Sequence, residues 1–490
     1  MKQDRREFLK KTGCTLTMTA LATQMRHFGL MSAIAQETDD KAAEGVPADY
    51  RALVCIFLAG GNDSNNSVIP NHNDATISNY SVYAGTRSVQ GLAIAQASLL
   101  PITVPRMGGL TYGLHPALGP QVGGTNNGIH ELWAMGKMAI VSNVGTLIQP
   151  TTRTQFLTPG WPKPFQLFSH SDQVSQYQGG RSDSESFTGW GGRLSDLRSG
   201  EDNPTGLIPM ITSIAGAQLF TAGQTTLPLA IGTGTLASVL NPANPNSNGS
   251  AIRTAFNNLR TMDLDHNLVD AASAVTDSAM SANTVFQSNP YDPVGFPATN
   301  LGNQLRQVAR VIKKRTDLNI NRQVFFVQLG GFDTHNNQLV THNNLLFQLS
   351  QAMRAFYNEM VTQGLEDKVT QFTMSDFSRT MNPAGVGASV GSDHAWGSHM
   401  FVVGGGITAA DFYGMNGANG TPFPHIAFNT GDDADNGSGA RGRWIPATSV
   451  EQYAATLARW YGLPDASMAS VFPKIASFAN TNLGFMQAPA

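Results

Sequence analysis

The sequence predicts an α/β fold, a mainly parallel sheet sandwiched by helices, with a cap insertion. Three observations lead there. Short continuous apolar runs recur along the chain, the pattern of strands buried on both faces. Segments with apolar residues at helical spacing stand between them, and strand–helix–strand alternation argues a largely parallel sheet. Three of the runs also end in short Asp-containing turns.

Taken in order, Ala52–Ala59 (ALVCIFLA) ends in Gly60-Gly61 and is the first strand. His115-Pro116 opens a helical pattern carried to Leu132 and Trp133, and Met138–Val144 is another buried strand. Leu301, Leu305, Val308 and Ile312 lie at helical spacing within 301–316, followed by the strand Val324–Leu329. A second helix carries Leu345, Leu349, Met353, Phe356 and Met360 on one face and ends near Gly364. Val369–Met374 and Met400–Val403 read as further strands. Tyr453, Leu457 and Trp460 mark a C-terminal helix, with Thr448 and Glu451 as its capping box.

The segment near 195–300 reads differently. Pro-Asn clusters such as Asn241-Pro242-Ala243-Asn244-Pro245 and one long helical pattern near 251–288 suggest an insertion capping the sheet. The main domain is expected over 48–490. No internal repeat is present.

Residues 1–35 read as a twin-arginine signal peptide. Arg5-Arg6 precede Phe8-Leu9, an apolar stretch runs from Gly13 to Met25, and Ala33-Ile34-Ala35 offers a small-x-small cleavage site. Lys11, three before Cys14, does not suit a lipid anchor. The expectation is a periplasmic or secreted protein handled by the twin-arginine export machinery.

Composition bounds the partners. Residues 1–35 hold six Lys/Arg and two Asp/Glu, so 31 − 6 leaves 25 basic and 34 − 2 leaves 32 acidic residues, a net charge of −7. That surface does not suit nucleic acid or anionic membrane. Charged residues are 13% of the chain, against roughly a quarter in average soluble proteins. Only Cys55 remains after cleavage, so no internal disulfide is expected and the core must supply stability. No later run reaches the roughly 18 apolar residues of a membrane span.

The chemistry gathers at strand ends. The first strand runs into Gly60-Gly61-Asn62-Asp63, the strand at 324–329 into Gly330-Gly331-Phe332-Asp333-Thr334-His335, and the strand at 369–374 into Ser375-Asp376-Phe377-Ser378-Arg379. Ser392-Asp393-His394 and His399 follow. Carboxyl ends of parallel strands share one edge, where ligands bind. Asp63, Asp333, His335, Asp376, Asp393, His394 and His399 can therefore converge as metal ligands. Each alone has a plain structural reading, a turn, a cap or a hydrogen-bonded pair; the repetition at three strand ends singles them out. Carboxylates and imidazoles without thiolates suit one or two divalent ions, Zn, Mn, Fe or Ca.

The motifs LVCIFLAGGNDSNNSVIP, YGLHPAL, LFSHSDQ, GFDTHNNQ, TMSDFSRT, SDHAWGSHMFVVGGG and RGRWIPATSVEQYAATLARWYGL occur in order. Together they resemble a bacterial family, the domain of unknown function fifteen-oh-one, grouped with the alkaline phosphatase and sulfatase superfamily. The resemblance covers the mature chain outside about 195–300. It implies a phosphatase/sulfatase-like α/β fold with metal at strand ends, and an extracytoplasmic metal-dependent hydrolase of phosphate or sulfate esters, on a small or polymeric substrate. Asp63 matches the Asp after the superfamily's first strand. Asp333 and His335 resemble a later Asp and His at closer spacing than usual, and Asp393-His394 a following Asp-His pair, with His399 as a possible last ligand. Asp376 also sits where that pair is usually delivered, so both assignments stay open. The superfamily's hydroxyl or thiol nucleophile has no counterpart at His115-Pro116. Ser64 lies near Asp63, and His170 and Asp172 of Ser169-His170-Ser171-Asp172 are candidates for acid–base or oxyanion roles. The alternative function is a non-catalytic secreted or cell-surface binding protein that keeps the fold.

Overall fold

The computed structural model describes residues 49–488 except 122–123, 125, 227, 234–250, 252–253, 256–257, 259–281, 283, 289 and 386. The expected signal peptide with Arg5 and Arg6, the 241–245 cluster and most of the helical pattern near 251–288 lie outside the described residues.

Among the described residues twelve strands are formed: β1 Arg51–Ala59, β2 Val68–Pro70, β3 Leu100–Val104, β4 Leu110–Leu114, β5 Met138–Gly145, β6 Ile211–Ser213, β7 Leu229–Ala230, β8 Arg322–Gly330, β9 Val369–Ser375, β10 Ser398–Gly404, β11 Phe412–Tyr413 and β12 Thr448–Ser449. The longer helices are α1 Tyr80–Arg87, α2 His170–Gly179, α3 Trp190–Asp202, α4 Asn300–Lys313, α5 Gln338–Thr362 and α6 Val450–Tyr461. Nine strands make the main sheet in the order β11-β5-β10-β9-β1-β8-β6-β7, with β12 on β5. β1 pairs in parallel with β8 and β9, in the register Cys55↔Phe326 and Cys55↔Phe372. β10 alone runs against its neighbours β5 and β9.

The expected α/β fold with a mainly parallel sheet is what forms, and β1 shows why. Its alternate residues feed two cores: Ala52, Val54, Ile56 and Leu58 pack with Leu305, Val308, Leu349 and Phe356 of α4 and α5. Leu53, Cys55 and Phe57 pack with Trp190 of α3 and Tyr453 and Leu457 of α6. A strand covered on both faces must be apolar at every position, hence the unbroken run in the sequence. No helix among the described residues is long and apolar enough to cross a membrane.

Three expectations are corrected. The pattern opening at His115-Pro116 is not one helix: Pro116–Leu118 is a single 3₁₀ turn and the next helix is only His130–Ala134. The intervening stretch, rich in Gly and Asn, cannot carry it. The segment near 195–300 is not wholly outside the sheet, because β6 and β7 extend its edge beyond β8. The capping box of α6 is Ser449 with Gln452, not Thr448 with Glu451; Thr448 is instead paired in β12. A second, antiparallel sheet of β2, β4 and β3, unforeseen from the sequence, packs beside the first.

The topology places the chemistry. Because β10 is reversed, its start lies at the same edge as the ends of β1, β8 and β9, so the residues just before it meet the turns just after them. Close backbone approach is needed there. A Cβ on Gly60 would lie 2.3 Å from Asp333 N, and one on Gly391 2.2 Å from the His335 carbonyl carbon, so only glycine lets these turns touch.

Candidate metal centre

Four side chains from three separate segments converge at that edge. Asp333 and His335 come from the turn after β8, His394 from the stretch before β10, and His170 from the first position of α2. His170 Nε2 and His335 Nε2 each lie 3.0 Å from His394 Nε2. Asp333 Oδ1 is 3.0 Å from His335 Nε2, 3.3 Å from His170 Nε2 and 3.6 Å from His394 Nε2.

The tautomers make this a donor set. His170 Nδ1 donates to Asp376 Oδ2 at 2.7 Å, and His394 Nδ1 donates to the Phe168 carbonyl at 2.8 Å. With Nδ1 donating, each ring in its neutral form leaves a lone pair on Nε2. Two such lone pairs facing at 3.0 Å repel unless a proton or cation stands between them. A tetrahedral Zn²⁺ with bonds near 2.0–2.1 Å sets its ligand atoms about 3.3 Å apart, which is the spacing found. Nitrogen and oxygen donors without thiolate fit Zn²⁺, Mn²⁺ or Fe²⁺. Among the described residues, His170, Asp333 and His394 are the group of metal-ligating type close enough to hold an ion. His335 adds a fourth donor through the distances above.

The surroundings hold these groups in place. Asp376 is buried, and its other oxygen accepts from Gly60 N at 3.0 Å. Its hydrogen bond raises the His170 pKa, while burial lowers that of His394. The fully buried Arg379 hydrogen-bonds Asp333 and donates to the carbonyls of Gly60, Gly61, Phe332 and Ser392, pinning three turns together. Burial pushes the Asp333 carboxyl up, but the Arg379 hydrogen bond and charge outweigh it and keep the group below the usual carboxylate range. Asp393 Oδ1 stands 3.6 Å from His335 Nδ1, and its Oδ2 accepts from Arg441 at 2.7 Å. Asp333 and His335 remain about half exposed, so the cluster opens to solvent.

The expected ligands thus divide. Asp333, His335 and His394 are brought together. Asp376 and Asp393 sit behind or beside them as orienting carboxylates. His170, expected in an acid–base role, stands among the donors. Asp63 is not brought in. The Gly60-Gly61 turn carries the chain past the sheet edge, and the Asp63 carboxylate meets Arg87 of α1 at 2.6 and 2.9 Å, with Gln338 Nε2 donating at 2.5 Å. His399 is also elsewhere: its Nδ1 accepts from Asn143 N at 3.1 Å, its ring stacks on Phe423, and burial depresses its pKa to about 3. Ser64 is buried, with its hydroxyl against Ser398 Oγ and accepting from His399 N. Asp172 takes hydrogen bonds from Ser169 and Ser171 at the start of its own helix. Phe168, Arg379, Arg441 and Arg443 carried no sequence signal beyond lying within the quoted motifs.

A family model described as "Protein of unknown function (DUF1501)" matches residues 246–423. That span holds Asp333, His335, Asp376, Asp393 and His394, and the match agrees with the resemblance read from the motifs. No curated protein matches the chain. Among solved structures, a substituted alkaline phosphatase, PafA, is similar at 10% identity and TM-score 0.27, over 69% of this chain and 64% of that one. The lipoteichoic acid synthase LtaP from Listeria monocytogenes is similar at 8% identity and TM-score 0.27, over 79% and 72%. A sulfatase from Pseudoalteromonas sp. is similar at 9% and 0.26, over 74% and 64%. The matched part of the chain thus spans less than two thirds of that phosphatase and that sulfatase.

Proposed function

We propose that the protein is an extracytoplasmic metal-dependent hydrolase of phosphate or sulfate esters. The observation that carries this reading is the convergence of three imidazole Nε2 atoms and the Asp333 carboxylate, two of the rings turned by hydrogen bonds at Nδ1. The ordered motifs, which resemble the domain-of-unknown-function family grouped with the alkaline phosphatase and sulfatase superfamily, support the substrate class.

His170, Asp333, His335 and His394 would hold the ion. When bound, a divalent cation supplies Lewis acidity toward an ester oxygen and a more acidic water. The chain's own residues do the rest. Asp376 and the Phe168 carbonyl keep the two Nδ1 atoms protonated, Arg379 holds Asp333 in its ionised form, and the exposed side of Asp333 and His335 leaves room for a substrate anion. A second reading, a secreted binding protein that does not turn over substrate, is favoured by one observation: among the described residues, no Ser or Thr hydroxyl hydrogen-bonds to the four donors, and Ser64 is held away from them.

The test is metal analysis of the exported protein before any chelator, paired with hydrolysis of aryl phosphates and aryl sulfates. The expected result is a stoichiometric transition metal and turnover that chelation abolishes. Asp333→Ala should lower metal affinity and hydrolysis together by at least about 100-fold. A metal-free parent, or an Asp333→Ala protein that binds metal as the parent does, would remove the hydrolase reading. Metal without turnover would leave the binding protein.

Export rests on Arg5 and Arg6. Replacing both by Lys keeps the charge but loses the guanidinium fork, and the precursor is then expected to stay uncleaved in the cytoplasm. Normal processing of that variant would end the twin-arginine reading.

A further inference from the structure

The segment leading into α2 holds a backbone conformation its own residues resist. Phe168 has φ +75° and Gln166 φ +46°. The other non-glycine residues with positive φ among the described residues are Ser78 and four asparagines. Asparagine tolerates the left-handed region; a bulky aromatic side chain is an outlier there and persists only where its surroundings over-determine it.

Two sets of contacts supply that determination. The Phe168 carbonyl, turned by this φ, accepts from His394 Nδ1 at 2.8 Å. The Arg443 guanidinium lies over the Phe168 ring, 4.9 Å from its centroid, and its Nε donates to the His394 backbone carbonyl at 2.8 Å. Arg443 is itself anchored, with Nη1 donating to Asp435 Oδ1 at 2.9 Å. One cation therefore grips both the strained residue and the histidine that the strained residue aims. Arg443 comes from the RGR stretch of the C-terminal motif, more than 270 residues from Phe168, and none of the four donors belongs to that stretch.

We infer that Phe168 and Arg443 are positioning residues: Arg443 clamps Phe168 in its left-handed conformation, so that the Phe168 carbonyl locks His394 with Nδ1 protonated and Nε2 free toward the donor cluster. The purpose of the lock rests on the metal-site reading, but the lock is a property of the chain alone. Simple packing of a loop predicts no effect on which ring nitrogen carries the proton. The clamp does.

Two readouts on the mature protein test it. Co²⁺ binding, followed by visible absorption, reports affinity and coordination geometry. Imidazole ¹⁵N shifts of histidine-labelled, metal-free protein report the His394 tautomer. Phe168→Leu keeps an apolar side chain but loses the aromatic face, and Arg443→Ala loses the cation. Both should weaken Co²⁺ binding about 10- to 100-fold, shift the ligand-field bands and mix the two tautomers. Phe168→Tyr, which keeps the ring, should behave as the parent does. Should Arg443→Ala fail to fold, Arg443→Lys keeps the charge but cannot span ring and carbonyl together, and should mix the tautomers in the same way. The inference is overturned if Phe168→Leu and the Arg443 variant keep the parent tautomer. A parent that binds no Co²⁺ ends the metal-site reading, and the ¹⁵N shifts then decide the clamp by themselves.

Discussion

Arg87→Met is expected to destabilise the protein by about 3–5 kcal/mol, the cost of leaving a buried carboxylate without its partner. Arg87 and Asp63 are both fully buried and meet in a two-pronged pair at 2.6 and 2.9 Å. The guanidinium also donates to Asn66 Oδ1 at 2.6 Å and to the carbonyls of Met381 and Thr380. The pair therefore ties α1 and the turn after β1 to the loop after β9. Burial pushes the Asp63 carboxyl up, yet Arg87 and Gln338 together keep it below the ordinary range. Removing the cation strands that charge. Removing the charge as well, in Asp63→Asn/Arg87→Met, should restore part of the loss, because the penalty lies in the uncompensated ion and not in the missing contact. Urea unfolding of parent, single and double variants decides it. A single variant within about 1 kcal/mol of the parent, or a double no better than the single, would show that the pair does not carry this energy.

Glu451→Gln is expected to stabilise the protein, and only above acidic pH. Glu451 sits in the first turn of α6, completely buried, with Oε1 accepting from Ser182 Oγ at 3.2 Å and Oε2 without a hydrogen-bond partner among the described residues. Burial raises its pKa to about 7, Asp183 adds to the rise, and hydrogen bonds from its own backbone, Ser182 and Ser449 oppose it. The folded pKa lies above the unfolded one, so the folded state favours the protonated acid. That preference is fully present below about pH 4.5 and is lost as pH rises through 7, where the folded protein must ionise a buried group. A difference of about 2.5 pKa units corresponds to roughly 3 kcal/mol. Glutamine is never charged, so the variant should match the parent near pH 4 and exceed it by roughly that amount at pH 8. Equal gains at both pH values would mean that ionisation of Glu451 is not the cause.

How much of this was legible depends on whether a signal is local. The apolar runs of β1, β5, β8 and β9 and the helical faces of α4 and α5 were readable, since burial on both faces of a sheet leaves its mark in consecutive residues. The strands β6 and β7 toward one edge were not, being two or three residues long and flanked by Gly and Pro. Among the candidate ligands, Asp333, His335 and His394 follow or precede recognisable strands, so strand-end logic found them. The same logic chose Asp63 and His399, because it can say which edge a residue reaches but not which way its side chain turns. At Asp63 the difference was Arg87, on a helix whose pairing no sequence rule announces. His170 was named for another role because its helix lies outside the strand–turn pattern.

The sequence by itself determined the parallel sheet, its buried central strand and the edge at which acids and imidazoles collect. These follow from periodicity and from the common direction of parallel strands. Tertiary structure decided which of those side chains share a donor cluster. That choice depends on the reversed direction of β10, on the close turns at Gly60 and Gly391, and on buried partners such as Asp376, Arg379 and Arg443. The partners of His170 and Asp333 lie dozens to hundreds of residues away, and only packing in three dimensions specifies where a carboxylate or a carbonyl meets the far side of an imidazole ring.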